Sequence, residues 1–478
     1  MSTAPLDRRT AALECLFGRI NYERVVGVPY GARHLKLDRM RTLLNRLGNP
    51  DAGMKIVHVA GTKGKGSTSA LLAAMLHAAG YDVGVYSSPH LESLEERFCV
   101  NGRPCSGDEL VALVDRVRPI VEQMDDAARV GDDHDVRPTF FELTTAMSLM
   151  HFADRGVDAV VLEVGLGGRL DSTNVCQPAV SVITSISLDH TRQLGNTTAK
   201  IAAEKGGIIK PGVPVIIGAM DPSARQAIVD VACQHGCRLI EPPRDFDFEY
   251  RPPREVELRG AEGRLDFHFH AGDEPFDLSD APLRMPGKHQ AANAAIALAT
   301  VIELRRQGWL ISTDAMRTGL AEAALPGRIE VVGRNPTIVL DVAHNVASVA
   351  ALVDCLGESF ASTGRVLLVA ASRDKDVPGM LEVLLPSFDR IVVTEYQENP
   401  RAVPVEQLLT KCREELARQG RSSDHRFLRS DPFPAGAWRV SRQWAAPGDL
   451  ICITGSFFIA AELRAIAAAA GRAAPASV

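Results

Sequence analysis

Along this chain the spacing of apolar residues changes character several times, and each change predicts an element. Residues 1–50 repeat apolar positions at helical spacing and end on the turn Gly48-Asn49-Pro50-Asp51, so amphipathic helices are expected there. A β-branched run through Ile56, Val57 and Val59 feeds the glycine-rich stretch Gly61-Thr62-Lys63-Gly64-Lys65-Gly66-Ser67, after which an apolar helix is expected over 67–79. Next come a short strand at 82–87, the segment Ser88-Pro89-His90-Leu91, a helix at 108–128, a polar loop at 131–137 and a helix at 140–154. Near-continuous apolar runs at 157–162, 179–186 and 213–217 are the mark of strands covered on both faces, as in a parallel sheet. Strands alternating with helices over this distance predict a doubly wound α/β domain.

After about Ile240 the pattern shifts to short alternating segments, such as Arg264-Leu265-Asp266-Phe267-His268-Phe269-His270. Residues 246–285 therefore read as antiparallel strands appended to the first domain, closed by a helix at 290–307. The αβ alternation then restarts, with strands at 337–340, 365–371, 390–394 and 450–454. Two domains are expected, 1–324 and a smaller α/β domain at 325–478, which agrees with a 478-residue chain being too long for one ordinary core. A hydrophobic content of 46%, 23% charged residues and a net charge of −6 fit an enzyme-like globular protein and give no electrostatic case for nucleic acid. The nine cysteines are scattered, and the close pair Cys233 and Cys237 has the wrong spacing for a redox or zinc motif, as expected in a reducing cytosol. Charges interrupt both the N-terminal 24 residues and the Ala-rich C-terminus, so neither a signal peptide nor a membrane span is expected, and the cytoplasm is the expected location.

The strongest chemical signal is the glycine-rich stretch. A turn between strand and helix aims backbone N–H groups and the positive helix end at one anion, and phosphate is the natural guest. Gly61, Gly64 and Gly66 let backbone approach oxygen, Lys65 reaches terminal phosphates, and the Ser67 hydroxyl suits Mg²⁺. The strict form of this motif needs glycine at position 59, where Val stands; a Gly/Lys-rich surface loop is the plain alternative. The strand at 157–162 delivers Glu163 to a carboxyl edge, where a carboxylate is a natural Mg²⁺ ligand or merely the end of a strand. Gly165-Leu166-Gly167-Gly168 directly after it favours function. At the next strand end, His190 is either a second metal ligand or structural, and Lys205 reads most simply as a solvated cation at a helix C-terminus. In the second domain, Asp341 and His344 sit at a carboxyl edge, Ser456 at another, and Arg328 is either a phosphate grip or an ordinary linker charge. Two sheets presenting their functional edges to each other is the expected layout.

Seven motifs in register make a family resemblance specific: 61–67, Ser88-Pro89-His90-Leu91, 163–174, Leu188-Asp189-His190-Thr191, Glu204-Lys205-Gly206-Gly207-Ile208, His289-Gln290-Ala291-Ala292-Asn293 and Asp341-Val342-Ala343-His344-Asn345. From about residue 20 to 465 the chain resembles folylpolyglutamate synthase and bifunctional dihydrofolate synthase, relatives of the peptidoglycan Mur ligases. The resemblance implies a P-loop doubly wound ATPase domain with a small antiparallel β appendage, plus a C-terminal Rossmann-like glutamate-ligase domain. It also implies an ATP- and Mg²⁺-dependent carbon–nitrogen ligase, acting as a monomer on small molecules, in which a pterin carboxylate becomes an acyl phosphate that the amine of L-glutamate attacks. By position, Gly61, Thr62, Gly64, Lys65, Gly66 and Ser67 fall in the phosphate loop, and Ser67, Ser88, Glu163 and His190 around Mg²⁺. Lys205 matches a lysine that family members can carbamylate as a further metal ligand, which reverses its plain reading. Asn293 matches an adenine contact, Arg328 a phosphate contact and Asp341 a ribose contact; His344 and Ser456 match positions near the incoming glutamate, and Thr139, Phe141 and Asp171 pterin-site positions. The chain departs from the family at Lys63, where Asn is commoner, at Val342, at Ala371-Ser372-Arg373, and at Phe458, where Tyr is frequent. The alternatives are a Mur-type ligase acting on a nucleotide-linked peptide, against which Gly64-Lys65-Gly66-Ser67 argues, and a non-catalytic ATP-binding module, against which the retained metal-site side chains argue.

Overall fold

In the computed structural model, which describes residues 7–21, 37–130, 137–258, 261–272 and 275–472, the apolar runs become two separate, mainly parallel sheets. Residues 131–136 of the expected polar loop and 22–36 of the expected N-terminal helical stretch lie outside the described residues. Flanking that gap, Arg8–Phe17 and Leu37–Arg46 are helices. The first sheet holds β1 (Ile56–Ala60), β2 (Val83–Tyr86), β3 (Phe98–Val100), β4 (Arg103–Pro104), β5 (Ala159–Glu163), β6 (Val180–Ile183), β7 (Val215–Ile217) and β8 (Leu239–Ile240), in the order β4-β3-β2-β5-β1-β6-β7-β8. β1 runs between β5 and β6, parallel to both, with Val59 opposite Glu163 and Ala60 opposite Ile183. Every residue of β1 and β5 is buried, which is why these runs show no polar alternation. β3 and β4 extend the sheet as an antiparallel hairpin of three and two residues, too short for a period to reveal.

Helices cover both faces of this sheet. Leu16, Met40, Leu43, Leu110, Phe140 and Phe152 share one core, while Ile183, Ile201, Ile208, Val215 and Ile228 form another. Strands β9 (Phe246–Arg251), β10 (Gly263–Phe269) and β11 (Phe276–Leu283) make a three-stranded sheet in which Leu265, Phe267 and Phe269 are buried and the residues between them are not. The last sheet has β12 (Glu330–Gly333), β13 (Thr337–Leu340), β14 (Arg365–Val369), β15 (Arg390–Val393), β16 (Leu428–Ser430) and β17 (Leu450–Thr454), ordered β12-β13-β17-β14-β15-β16. Only β12 is antiparallel to its neighbour within it. The chain packs as two compact units: Met1–Glu249, Asp266–Ala281 and Ala292–Ala323 in one; Tyr250–Leu265, Pro282–Ala291 and Ala324–Val478 in the other. Among the described residues, no helix is long and apolar enough to cross a membrane.

Candidate active site

The carboxyl end of β1 opens directly into the glycine-rich loop, and the following helix, Lys65–Ala78, begins at Lys65 rather than at Ser67. Gly64 stands at its N-cap with φ 86°, and a Cβ there would lie 2.2 Å from Asn293 Oδ1; both the backbone and the approach of Asn293 demand glycine. At Gly61 a Cβ would lie 1.9 Å from Thr184 Oγ1. The loop is clamped to the segment after β6: Thr62 N–H donates to the Ser185 carbonyl (2.6 Å), and the hydroxyls of Thr184 (2.6 Å) and Ser185 (3.1 Å) donate to the Lys63 carbonyl. The side chain of Lys63 reaches Asp189, Nζ to Oδ2 2.7 Å. Lys65 Nζ stands 3.9 Å from Glu163 Oε1. Gly61, Thr62, Lys65, Gly165, Leu166, Gly167, Asp189, His190, Leu194 and Lys205 line one recess, which brings Gly61, Thr62, Lys65, His190 and Lys205 of the residues expected around phosphate and metal together in the first unit.

Lys205 corrects the reading from residue type alone. It is buried, at 5% exposure, on the last turn of the helix Thr198–Gly206, and burial pushes its ammonium down to about 7, with the charges of Lys65 and Lys63 adding and those of Asp189 and Asp171 opposing. His190 is exposed at φ 49°, and its N–H donates to Asp189 Oδ1 (2.9 Å). Ser67 is buried at the start of the phosphate-loop helix. Among the described residues no group of three or more His, Cys, Asp or Glu is arranged to hold a metal. The donors present are instead oxygens of mixed kind: the buried carboxylate of Glu163 and the hydroxyls of Ser67 and Ser88. That set suits Mg²⁺, which completes its shell with phosphates and water.

Of the three expected pterin-site residues, Phe141 and Asp171 come together and Thr139 is employed differently. A Cβ at Gly165 would meet Phe141 Cε1 at 3.1 Å, Ser88 Oγ at 3.3 Å and Asp171 Oδ2 at 3.5 Å, so these side chains converge on the loop after β5. Asp171 is buried and its carboxylate accepts from the N–H groups of Gly165, Leu166 and Thr173 and from the Thr173 hydroxyl (2.5 Å). Burial raises its pKa, and these donors oppose the rise. Thr139 caps the helix Phe140–Arg155 in a capping box with Glu142. His58 and Thr173 escape a sequence reading. Because the Thr173 hydroxyl gives its proton to Asp171, it accepts from His58 Nε2 (2.8 Å), whose imidazole burial drives down to about 3 and keeps neutral. The available signal was a lone polar residue inside β1.

In the second unit, Asp341 spends both oxygens on backbone, accepting from Ile329 N–H (2.9 Å) and Ala343 N–H (2.8 Å). Burial raises its pKa, against the charge of Arg328. Ile329 itself has φ 47°, unusual for a β-branched residue, directly after Arg328. His289 is pushed down to about 4 by burial and by Arg328. His344 Nδ1 donates to the Val342 carbonyl (2.8 Å). Ser456 is buried, and the hydroxyl absent at Phe458 has a neighbour: the ring of Tyr396 packs on Phe458 with centroids 5.1 Å apart, its hydroxyl 2.7 Å from Ser372 Oγ. Tyr396, just beyond β15, was not singled out by the sequence.

Residues 59–301 match the Mur ligase middle domain and residues 327–457 the Mur ligase glutamate ligase domain, so fold and phosphate loop together define a P-loop, ATP-dependent ligase. The dihydrofolate synthase/folylpolyglutamate synthase of Bacillus subtilis is 35% identical over 433 residues, 90% of this chain and 94% of that one. The enzyme of the same name from Escherichia coli is 35% identical, covering 90% of each. The solved Mycobacterium tuberculosis folylpolyglutamate synthase complexed with ADP superposes with a TM-score of 0.84 at 31% identity, over 96% of this chain and 99% of that one. An Escherichia coli FolC structure in complex with DHPP and ADP gives 0.77 at 30% identity, over 98% and 100%. The chain belongs to the folylpolyglutamate synthase/dihydrofolate synthase family of Mur ligases, ATP-dependent enzymes that form a carbon–nitrogen bond.

Proposed function

We propose that this protein ligates L-glutamate to the free carboxylate of a pterin, dihydropteroate or a reduced folate, by way of an acyl phosphate. The observation that carries the reading is the recess that Lys65 and Lys205 line beside a glycine loop at the start of a helix, with Glu163 3.9 Å from Lys65. Its N–H groups and Lys65 hold phosphate oxygens, and charge developing on the transferred group meets donors already in place. A pterin carboxylate oxygen bonds to the terminal phosphorus as ADP leaves. The glutamate nitrogen then bonds to the acyl carbon as inorganic phosphate leaves. With Nδ1–H held by Val342, a neutral His344 has Nε2 as its acceptor nitrogen, suited to receive the proton that the amine sheds. Arg328 and Asp341 are assigned to the nucleotide, Asn293 likewise, and Ser456 to the incoming amino acid; Thr139, Phe141 and Asp171 are assigned to the pterin side, with Asp171 acting by shaping the Gly165–Leu166 backbone.

Ser67, Ser88 and Glu163 would hold Mg²⁺, which when bound neutralises phosphate charge. Lys205 as an ammonium is no ligand. With a pKa of about 7 it is substantially a free amine at neutral pH, the form that adds to carbon dioxide and releases one proton to give a carbamate with two ligating oxygens. His190, an exposed nitrogen donor at the rim, suits Mg²⁺ less well than these oxygens. All these groups come from one chain, so the reading needs no second copy, and nine cysteines without a disulfide support the cytosol. Purified protein incubated with ATP, Mg²⁺, L-glutamate and each pterin is expected to release phosphate only when glutamate and a pterin are both present. No glutamate-dependent release with any pterin would sink the reading. Lys65→Ala and Glu163→Ala are each expected to lower turnover by about a hundredfold or more.

A further inference from the structure

The phosphate loop carries a symmetry that the one expected phosphate-binding lysine does not explain. β1 lies between β5 and β6, and each neighbour delivers a carboxylate beside the loop: Glu163 ends β5, and Asp189 follows β6. Against each carboxylate the loop sets a lysine, Lys65 at 3.9 Å from Glu163 and Lys63 at 2.7 Å from Asp189. Asp189 lines the same recess as Lys65. The field of Lys63 reaches Lys205 within it. The backbone of Lys63 is fixed through its carbonyl, which accepts from Thr184 and Ser185. Its side chain is 25% exposed. A nucleoside triphosphate would bring several negative charges beside two lysines that each face a carboxylate, and an ammonium gains more from a multiply charged phosphate than from one carboxylate.

We infer that Lys63 is a second phosphate-binding cation of this loop, stored on Asp189 and handed to the terminal phosphoryl group when a triphosphate binds. The exchange is one of ion-pair partners, with no covalent bond made or broken. It rests on the reading of 61–67 as the ATP phosphate site. It makes Lys63 a positioning residue for the terminal phosphate, and Asp189 a competitor that holds the ammonium until the nucleotide arrives.

Calorimetric titration of the full chain with ADP and with the non-hydrolysable triphosphate AMPPCP, each with EDTA present, tests this without reference to turnover. Lys63→Gln is expected to weaken AMPPCP about tenfold and ADP by less than about twofold, and Lys63→Arg to restore most of the loss. Asp189→Asn is expected to leave AMPPCP binding equal or tighter, because it removes the competing anion. Equal weakening of both nucleotides by Lys63→Gln, or weakening of AMPPCP by Asp189→Asn, would make the pair a scaffold and overturn the inference. Should Lys63→Gln fail to fold, the sign of the Asp189→Asn effect still decides. Wild-type protein that binds neither nucleotide, with EDTA or with Mg²⁺ in its place, would instead overturn the phosphate-site reading itself.

Discussion

Lys205 concentrates at one residue the conflict between stability and function. Its folded pKa of about 7 lies below the ordinary lysine value of 10.5, so the unfolded chain binds more protons between those two values and stability rises with pH across that window. Below about pH 7 the buried charge exacts its full cost. Lys205→Met is therefore expected to raise the melting temperature of the ligand-free protein, by more at pH 6 than at pH 9.5, while abolishing ligation; equal gains at both pH values would refute the buried-cation account. Residue type and position predicted a solvated helix-end charge here. Lys205 lies instead on the buried face of Thr198–Gly206, with Ile201 and Ala202, and only packing could reveal it. Asp171 and Asp341 make the same point: both are acidic residues in site motifs, and both spend their oxygens on backbone N–H groups that no spacing rule locates.

Among the elements, the helix Phe140–Arg155 shows how a site residue can serve the scaffold. Thr139 caps it, and Glu142 closes the box while pairing with buried Arg39 at 2.9 Å. Thr139→Ala is expected to destabilise the protein by about 1 kcal/mol, read as a lower urea midpoint at unchanged slope. If Thr139 served the ligand alone, the midpoint would not move. The helix Phe140–Arg155 and β5 were legible within a few residues, the first as apolar residues at helical spacing and the second as a continuous apolar run. The β3–β4 hairpin was not, since two or three residues carry no period, and neither was the start of the phosphate-loop helix at Lys65, which depends on the left-handed Gly64 before it.

The largest scale concerns the two units. The phosphate loop and its recess belong to the first, while Arg328, Asp341, His344 and Ser456 belong to the second. The proposed acyl phosphate would need shielding from water, which predicts that both sets close around one nucleotide. Small-angle scattering is accordingly expected to give a smaller radius of gyration with AMPPCP and pterin than without them, and identical profiles would count against closure.

Sequence by itself determined the alternation of strands and helices, the phosphate loop at a strand-to-helix turn, and, through seven motifs in order, the family. Those features are local: periodicity and turn chemistry act over a few residues. Tertiary structure alone decided that Lys205 is buried, that His58 and Thr173 stand behind Asp171, and that Lys63 and Lys65 each face a carboxylate from a different neighbouring strand. Desolvation and ion pairing depend on what packs opposite a side chain, and in a parallel sheet that neighbour comes from about a hundred or more residues away along the chain, as Glu163 and Asp189 do for Lys65 and Lys63.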